Sequence, residues 1–271
     1  MSKVIVVTSG KGGVGKTTST ASLGAALAQT GQKVCVVDFD MGLRNLDLML
    51  GAERRVVYDF INVAQGDAKL GQALIRDKRV ETLHLLAASQ TRDKDALTDA
   101  GVERVIGDLR EQFDWVLCDS PAGIERGALL AMRFADEAIV VTSPEVSSVR
   151  DSDRIIGLLD ARTRRAESGE RMEKRLLLTR FDAARSSRGE MLSVADVLDI
   201  LSIPLLGIVP EDQEVLRSSN VGAPITINGS ASPAARAYQE AAKRLAGEAI
   251  PVAMPNEKKT FLNRLFGRRA A

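Results

Sequence analysis

The chain begins with the apolar run Val4-Ile5-Val6-Val7 and soon continues as Gly10-Lys11-Gly12-Gly13-Val14-Gly15-Lys16-Thr17-Thr18. A strand that breaks into a glycine-rich turn and then opens a helix is typical of a phosphate-binding loop. The backbone N–H groups of such a loop, with the positive end of the helix, hold the phosphates of a nucleotide. We therefore predict a site for ATP and Mg²⁺, in which Lys16 reaches the β- and γ-phosphates and Thr17 binds Mg²⁺. A chance match is disfavoured, because strand and helix patterns flank the loop on both sides.

A second lysine, Lys11, lies at the second position of this loop, whereas an ordinary phosphate loop needs only the lysine at position 16. We expect Lys11 at the mouth of the loop, free to reach the phosphates of a nucleotide bound to another copy of the chain. Two interpretations stay open at this point. Lys11 is either a catalytic residue that acts across an ATP-dependent homodimer or a solvated surface lysine.

The composition is that of an ordinary globular protein, with 45% hydrophobic and 27% charged residues in a chain of 271. The two cysteines, Cys35 and Cys118, lie in apolar strand-like runs and indicate a reducing compartment. The single histidine, His84, lies in a similar run and does not suggest a metal site. No apolar run approaches the roughly 18 residues of a membrane-spanning helix, and no signal peptide precedes the first strand. We expect a cytoplasmic protein.

Short β-branched runs alternate with helical patterns, which predicts one doubly wound α/β domain with a mostly parallel sheet and helices on both faces. The ligand site of such a fold lies beyond the carboxyl ends of the strands. The predicted strands are Val4–Thr8, Lys33–Asp38, Thr82–Ala87, Trp115–Asp119, Glu137–Thr142, Arg175–Arg180 and Leu205–Val209. The predicted helices are Lys16–Thr30, Thr98–Gln112, Gly127–Phe134, Ser147–Glu167, Ser193–Leu201, Gln213–Asn220 and Pro233–Glu248. We expect this P-loop domain at residues 1–250 and a proline-containing linker at residues 251–257.

Acidic residues fall at the ends of two predicted strands, where a nucleotide site of this fold needs them. Asp119 ends an apolar run, and we expect it to hold Mg²⁺ through a water, because this ion dehydrates reluctantly. A capping aspartate is the alternative. Asp40, two residues after Asp38, is better placed to position a water for attack on the γ-phosphate.

Two later strand ends are candidates for contacts to the nucleotide base. Arg180 ends one predicted strand, and Pro210, Glu211 and Asp212 follow the next. Backbone groups and a carboxylate there could read an adenine edge, because parallel strands end at the same edge of the sheet. Simple strand-end turns remain the alternative.

The C-terminal residues 258–271 form a segment of a different kind. Its apolar residues recur at helical spacing and face a basic side; they are Phe261, Leu262, Leu265 and Phe266. Five basic residues against Glu257 give residues 256–271 a charge of +4, so the total of +1 leaves −3 for the rest of the chain. The pattern predicts an amphipathic helix in the plane of an anionic membrane. A helix docked on the core and a disordered basic end are the alternatives.

Several further stretches resemble the deviant Walker A family of P-loop ATPases, and within it the branch that determines the site of the bacterial division septum. They are residues 38–47 (DFDMGLRNLD), 53–59 (ERRVVYD), 88–95 (ASQTRDKD), 118–123 (CDSPAG), 144–153 (PEVSSVRDSD) and the tail. The resemblance covers essentially the whole chain. It departs from the family at Asn263, where a basic residue is common, and at Arg268–Ala271, which extend past the usual end.

The resemblance implies an ATP-bound sandwich dimer in which Lys11 reaches the nucleotide of the second copy, Asp40 positions the attacking water and Asp119 assists Mg²⁺. It also implies two protein partners. These are MinC, an inhibitor of FtsZ assembly recruited by the ATP form, and MinE, which stimulates hydrolysis. Their overlapping surface includes the helix near residue 147, which we transfer to Asp151 and Asp153. The resemblance further implies a peripheral position on anionic lipids at the cytoplasmic face of the inner membrane.

A DNA-partition ATPase with the same loop is the rival hypothesis. Nonspecific DNA binding requires basic residues but not the apolar stripe of the tail, so we expect no specific nucleic-acid partner. A third possibility, an iron–sulfur ATPase resembling the nitrogenase iron protein, would need cysteines that bridge two subunits. Cys35 and Cys118 lie inside predicted strands instead.

Overall fold

The computed structural model describes residues 2–90, 97–229 and 231–255. The strands in these residues are β1 (Lys3–Thr8), β2 (Val34–Asp38), β3 (Ile75–Arg76), β4 (Leu83–Leu86), β5 (Trp115–Asp119), β6 (Glu137–Thr142), β7 (Glu173–Phe181) and β8 (Leu205–Pro210). The described strands form one sheet in the order β3-β4-β2-β5-β1-β6-β7-β8. Every neighbouring pair is parallel except β3 and β4, which are antiparallel.

The central position of β1 places the phosphate loop in the middle of the carboxyl edge of the sheet. β1 lies between β5 and β6, and its Val7 is opposite Asp119 of β5. On the other side of β5, Asp38 of β2 is also opposite Asp119. The register therefore brings two acidic residues together at the edge from which the loop leaves.

Both faces of the sheet are covered by helices, since successive residues of a strand point to opposite faces. Val4 and Val6 of β1 belong to one apolar cluster, and Ile5 and Val7 belong to the other. The helices in the described residues are α1 (Lys16–Gln29), α2 (Leu46–Met49), α3 (Phe60–Gln65), α4 (Leu70–Ala73), α5 (Asp99–Gln112), α6 (Arg126–Arg133), α7 (Val146–Arg162), α8 (Arg164–Glu167), α9 (Ala183–Ser187), α10 (Val194–Leu201), α11 (Gln213–Asn220), α12 (Ile225–Asn228) and α13 (Pro233–Leu245). α5, α6, α7 and α10 pack on the first face, and α1, α12 and α13 pack on the second.

The predicted fold class is confirmed, and the differences lie in short elements. The helix predicted over Ser147–Glu167 is divided at Thr163, which has an extended backbone and whose hydroxyl accepts a hydrogen bond from the Ala166 N–H. Thr163 therefore ends α7 and caps α8. β3 and the short helices α2, α3, α4, α9 and α12 were not predicted, because two to six residues are too few to show a hydrophobic period.

After α13 the chain stays attached to the domain. Arg244 donates hydrogen bonds to the carbonyl oxygens of Ile250 (2.7 Å), Pro251 (2.9 Å) and Leu206 (3.1 Å). The start of the expected linker is therefore bound beside β8. The predicted membrane helix at residues 258–271 lies outside the described residues. None of the described helices is both long and apolar enough to cross a bilayer.

Candidate nucleotide-binding site

The backbone of the phosphate loop requires glycine at several positions. Gly13 and Gly15 have φ angles of 76° and 95°, in the left-handed region that other residues rarely adopt. Gly10 is needed for space, because a Cβ there would lie 2.3 Å from the carbonyl oxygen of Asp151. The first turns of α7 therefore pack directly on the phosphate loop.

Lys16, the lysine expected at the phosphates, is buried at the start of α1. Its side-chain ammonium donates a hydrogen bond to the Ser9 hydroxyl at 2.9 Å, and the residue is 8% exposed. Burial lowers the pKa of Lys16, against the opposing charges of Asp119 and Asp40. An anionic phosphate beside Lys16 would favour its charged form, because a nearby negative charge offsets the cost of burial.

Two buried carboxylates provide the metal side of the site. Burial raises the pKa of Asp119 to about 7, although a hydrogen bond from the Thr17 hydroxyl and the charge of Lys16 lower it. Burial, together with the charge of Asp119, raises the pKa of Asp38 well above its usual range. Buried acids of this kind gain stability from a nearby cation, and hydroxyl and carboxylate oxygens are the ligands that Mg²⁺ prefers. Thr17 and Asp119 therefore fit the expected Mg²⁺ site.

Asp40, the expected water-positioning residue, lies half-buried at the same edge. Its backbone N–H donates to the Asp38 carboxylate at 2.8 Å. Burial raises the pKa of Asp40, and the charge of Lys16 opposes this rise. The structure thus brings Lys16, Asp38, Asp40 and Asp119 together, as a site for phosphoryl transfer requires.

Lys11 lies at the rim of the loop, where its side chain pairs with the start of α7. Its ammonium lies 2.8 Å from the Glu145 carboxylate and 3.1 Å from the Ser147 hydroxyl. The hydrogen bond from Lys11 lowers the pKa of Glu145. The side chains are 40% and 58% exposed, so this ion pair contributes at most about 1 kcal/mol and is easily exchanged. The pairing follows from the packing of α7 on the loop, which the sequence pattern does not reveal.

A cavity of about 370 Å³ adjoins the loop at Gly13, Val14, Gly15 and Thr18. Its other walls come from the ends of β7 and β8, from α11 and from α13; the residues are Thr179, Arg180, Val209, Pro210, Glu211, Asp212, Val215, Leu216, Ser219 and Tyr238. A mostly apolar pocket beside a phosphate loop is a suitable site for a nucleoside. The predicted base-side residues all line it.

Within this cavity Arg180 and Asp212 already have partners. Arg180 pairs with the Glu211 carboxylate at 3.3 Å and donates to the Gly13 carbonyl at 3.4 Å. The Asp212 carboxylate accepts hydrogen bonds from the N–H groups of Glu214 (2.9 Å) and Ala234 (3.3 Å). The Asp212 carboxylate thus caps α11, and each of its oxygens keeps capacity to accept a further hydrogen bond.

Sequence reasoning missed the cavity residues that lie on α11 and α13. The Thr179 hydroxyl donates to the Val14 carbonyl at 2.7 Å and so braces the loop from β7. Tyr238 lies 3.1 Å from the Ser19 hydroxyl, and burial raises the pKa of Tyr238 to about 12. Tyr238 belongs to no local motif, so tertiary packing alone reveals it.

The two expected partner-surface residues differ in exposure. Asp151 is half-buried, with its backbone against Gly10 and its carboxylate 3.7 Å from Arg154. Asp153 is exposed on the same helix, α7. The helix expected to meet partners therefore also contacts the phosphate loop.

Comparison with known proteins agrees with this site. Residues 5–225 match the CobQ/CobB/MinD/ParA nucleotide binding domain. The chain belongs to this family. Its MinD branch is indicated by the septum site-determining protein MinD of Escherichia coli (strain K12), which is 61% identical over 270 residues, or 98% of this chain and 100% of that protein.

Solved structures of the family share the fold. The MinC:MinD cell division protein complex of Aquifex aeolicus matches 94% of this chain and 100% of the compared chain, with 43% identity and a TM-score of 0.81. The septum site-determining protein MinD of Pyrococcus horikoshii OT3, complexed with Mg-ADP, matches 92% of this chain and 100% of that chain, with 32% identity and a TM-score of 0.80. ATP and Mg²⁺ therefore suit both the site geometry and the family.

Proposed function

We propose that this chain is a Mg²⁺-dependent ATPase that dimerises with ATP, attaches to the membrane and positions the division septum by recruiting MinC, and that MinE stimulates its hydrolysis. The observation that carries the proposal is the phosphate loop, in which buried Lys16 lies near the carboxylates of Asp40 and Asp119 and Lys11 lies at the rim. The 61% identity to a septum site-determining protein supports the same function.

Nucleotide binding is divided between two parts of the site. The loop backbone and Lys16 hold the phosphates, and the cavity bounded by Arg180, Pro210 and Glu211 receives the nucleoside. Thr17, and Asp119 through a water, would hold Mg²⁺, which neutralises phosphate charge.

Hydrolysis uses Asp40 as the residue that orients the attacking water. The water oxygen bonds to the γ-phosphorus, the bond to the ADP oxygen breaks, and inorganic phosphate leaves. Phosphoryl transfer depends mainly on positioning and on charge stabilisation. Asp40 positions the water by accepting a hydrogen bond from it, and Lys16 stabilises the charge of the phosphates.

Dimerisation involves the nucleotide face. Lys11 leaves Glu145 for the nucleotide of a second copy, an exchange that a weak surface ion pair permits. Most of the large apolar side chains that are exposed in the described residues lie after the carboxyl ends of the strands; they are Leu43, Leu48, Ile124, Val146, Leu216 and Val221. An apolar surface around the site supports a partner on this face.

Membrane attachment depends on the tail at residues 258–271. Its four Phe and Leu side chains offer roughly 6–12 kcal/mol at full burial, and each basic residue near an anionic surface adds about 1 kcal/mol. Ordering about ten residues costs on the order of 10 kcal/mol. One tail is therefore a marginal anchor, whereas two tails in a dimer gain from intramolecular insertion.

MinC and MinE bind the surface that includes Asp151 and Asp153. The MinC:MinD complex of the 43% identical A. aeolicus protein supports the first partner. The Asp151 backbone packs on Gly10 of the phosphate loop. A protein bound to α7 would therefore contact a helix that touches the loop directly. Through this contact, MinE bound to α7 would shift the phosphate loop and so stimulate hydrolysis.

The test is co-sedimentation with phosphatidylglycerol-containing vesicles, with neutral phosphatidylcholine vesicles and with DNA, each with ATP or ADP. We expect ATP-dependent pelleting with the anionic vesicles alone. Lys11→Ala should abolish both the ATP-dependent dimer and vesicle binding, whereas Lys33→Ala, at another exposed lysine, should change neither. A dimer that persists in Lys11→Ala would refute the cross-subunit role.

The tail is tested by Phe261→Glu, with Ala271→Glu as a control of equal charge change. We expect Phe261→Glu to lose vesicle binding and keep basal hydrolysis, and the control to keep both. Pelleting with DNA but not with anionic vesicles would favour the partition hypothesis. MinC should pellet only in the presence of the ATP form, and MinE should raise hydrolysis on vesicles.

A further inference from the structure

Two backbone segments from opposite sides of the site cross in direct contact at Gly51 and Gly222. A Cβ at Gly51 would lie 2.9 Å from the Gly222 carbonyl oxygen, and a Cβ at Gly222 would lie 2.7 Å from the Gly51 Cα. Both residues have positive φ angles, 59° and 65°. The segments can meet only because neither residue has a side chain, so this crossing is a specific feature of the fold.

One arginine joins the two crossing segments. Arg79, in the turn between β3 and β4, donates from Nη1 to the Gly222 carbonyl at 2.9 Å and from Nη2 to the Leu50 carbonyl at 3.0 Å. The planar guanidinium can bridge two acceptors in a fixed geometry, which an ammonium cannot reproduce.

Asp77 holds Arg79 in this position. The Asp77 carboxylate lies 2.8 Å from Arg79 Nη2 and also accepts hydrogen bonds from the backbone N–H groups of Arg79 (2.7 Å) and Val80 (3.1 Å). Burial alone would raise the pKa of Asp77, but the hydrogen bonds from Arg79 hold this pKa below its usual value. The guanidinium is thus fixed before it contacts either segment.

The first segment leads to the catalytic carboxylates. Leu50 is the C-cap of α2, whose first residue, Leu46, donates its N–H to the Asp38 carboxylate at 3.1 Å. The other oxygen of Asp38 accepts the N–H of Asp40 at 2.8 Å. Asp38 therefore holds both Asp40 and the start of α2, and Arg79 holds the end of α2.

The second segment leads to the nucleoside cavity. Gly222 donates its N–H to the carbonyl of Ser219, which lines the cavity on α11. Val215 and Leu216 of the same helix also line it. The position of Gly222 is therefore linked to the wall that a nucleoside would contact.

We propose that Arg79 is a positioning residue that couples the two sides of the site, so that an adenine nucleoside against α11 fixes the segment that carries Asp40. The inference rests on the proposed ATPase function. Occupancy of the cavity orders α11 and Gly222, Arg79 transmits this order to Leu50, and α2 transmits it to Asp38 and Asp40. Binding of the base thereby prepares the hydrolytic end of the site.

Hydrogen exchange with and without Mg-ADP tests the coupling, in the full-length protein. In the wild type, and in the control Arg76→Gln on the same hairpin, ADP should slow exchange at residues 10–18, in α11 and at residues 48–52. Arg79→Gln should keep the protection at 10–18 and lose that at 48–52, an expected change of about fivefold or more. Arg79→Lys keeps a charge beside Asp77 but cannot bridge the two acceptors, so it should also lose the protection at residues 48–52. This variant replaces Arg79→Gln if the latter does not fold.

Hydrolysis kinetics supply a second readout that a purely structural role would not move. At saturating ATP, and well below the melting temperature, Arg79→Gln should lower kcat about tenfold while KM changes less than about threefold. A lower melting temperature with unchanged kcat would overturn the coupling, as would ADP protection of residues 48–52 that survives in both Arg79 variants. Absent protection at residues 10–18 in the wild type would instead contradict the proposed function itself.

Discussion

The two halves of the nucleotide site are built in different ways. The phosphate side comes from nine consecutive residues, Gly10–Thr18, which leave the central strand and open α1. The nucleoside side comes from four elements, β7, β8, α11 and α13, which are separated in sequence and meet only in the folded sheet. The phosphate side concentrates charge on a few buried groups, whereas the nucleoside side spreads weak contacts over many residues. A single substitution should therefore lower nucleotide affinity or kcat strongly on the phosphate side and only weakly on the nucleoside side.

The largest effect should follow Lys16→Gln. Lys16 is 8% exposed and lies near the carboxylates of Asp40 and Asp119, so its removal takes away a buried cation where we expect the phosphates to bind. Loss of a buried charged contact costs about 4 kcal/mol, or about a 1,000-fold weaker Kd for ADP. Titration with fluorescent ADP measures this loss, and the affinity for tripolyphosphate should fall by the same factor. The exposed Lys33→Gln is the control, and a loss below tenfold would break the contrast between the two sides.

Asp40→Asn should have the next largest effect, on kcat rather than on binding. The amide keeps the size of the side chain but is a weaker acceptor for the attacking water, so kcat should fall about 100-fold. ADP affinity should change little, because Asp40 is assigned to the water and not to the phosphates. Steady-state phosphate release gives kcat, with Glu111→Gln on distant α5 as control. Equal losses in affinity and in kcat would assign Asp40 to binding.

A smaller effect is expected on the nucleoside side, from Ser219→Leu. The larger side chain enters the cavity of about 370 Å³ from α11 and should weaken ADP binding about tenfold. Asn220→Leu, the next residue of the same helix, does not line the cavity and is the control. Competition with tripolyphosphate separates the nucleoside side from the phosphate side, because the affinity of Ser219→Leu for tripolyphosphate should equal that of the wild type. An equal loss for tripolyphosphate would mean that the two sides are not separable.

The smallest effect concerns pH and the nucleotide-free protein. The pKa of Asp119 is raised by burial from 3.8 to about 7, so between these values the folded protein binds more protons than the unfolded chain. Stability must then fall as pH rises through this range, and the melting temperature should be a few degrees lower at pH 8 than at pH 5.5. Asp119→Asn should reduce this dependence. Mg-ADP should raise the melting temperature more at pH 8, where the carboxylate is ionised. A melting temperature that rises with pH in the nucleotide-free protein would contradict the assignment.

The same contrast explains how far sequence reasoning reached. Three local patterns carried the sequence prediction: the loop, the acidic strand ends, and the alternation of strands and helices. They predicted the fold class and placed Lys16, Asp40 and Asp119 at the carboxyl edge of the sheet. The cis contact between Lys11 and Glu145 depends on how α7 packs on Gly10, across more than 130 residues of sequence. No local pattern encodes such a packing.

The crossing of Gly51 and Gly222 illustrates the remaining limit. Either glycine, read alone, marks only a turn, because its left-handed backbone is a local property. Their contact, and the Arg79 bridge across it, require the β3–β4 hairpin, and β3 is too short to be recognised from alternation. The coupling of the two sides of the site is thus a property of the tertiary structure.

The central place of β1 also has a consequence for synthesis. Val4–Val7 are fully buried between β5 and β6, yet β5 begins only at Trp115. At about 5–20 residues per second a ribosome needs roughly 5–20 s to make the intervening residues. During that time the apolar strand β1 has no neighbour in the sheet. Folding during translation should therefore depend on protection of β1, whose buried apolar residues stay unpaired until β5 has been made.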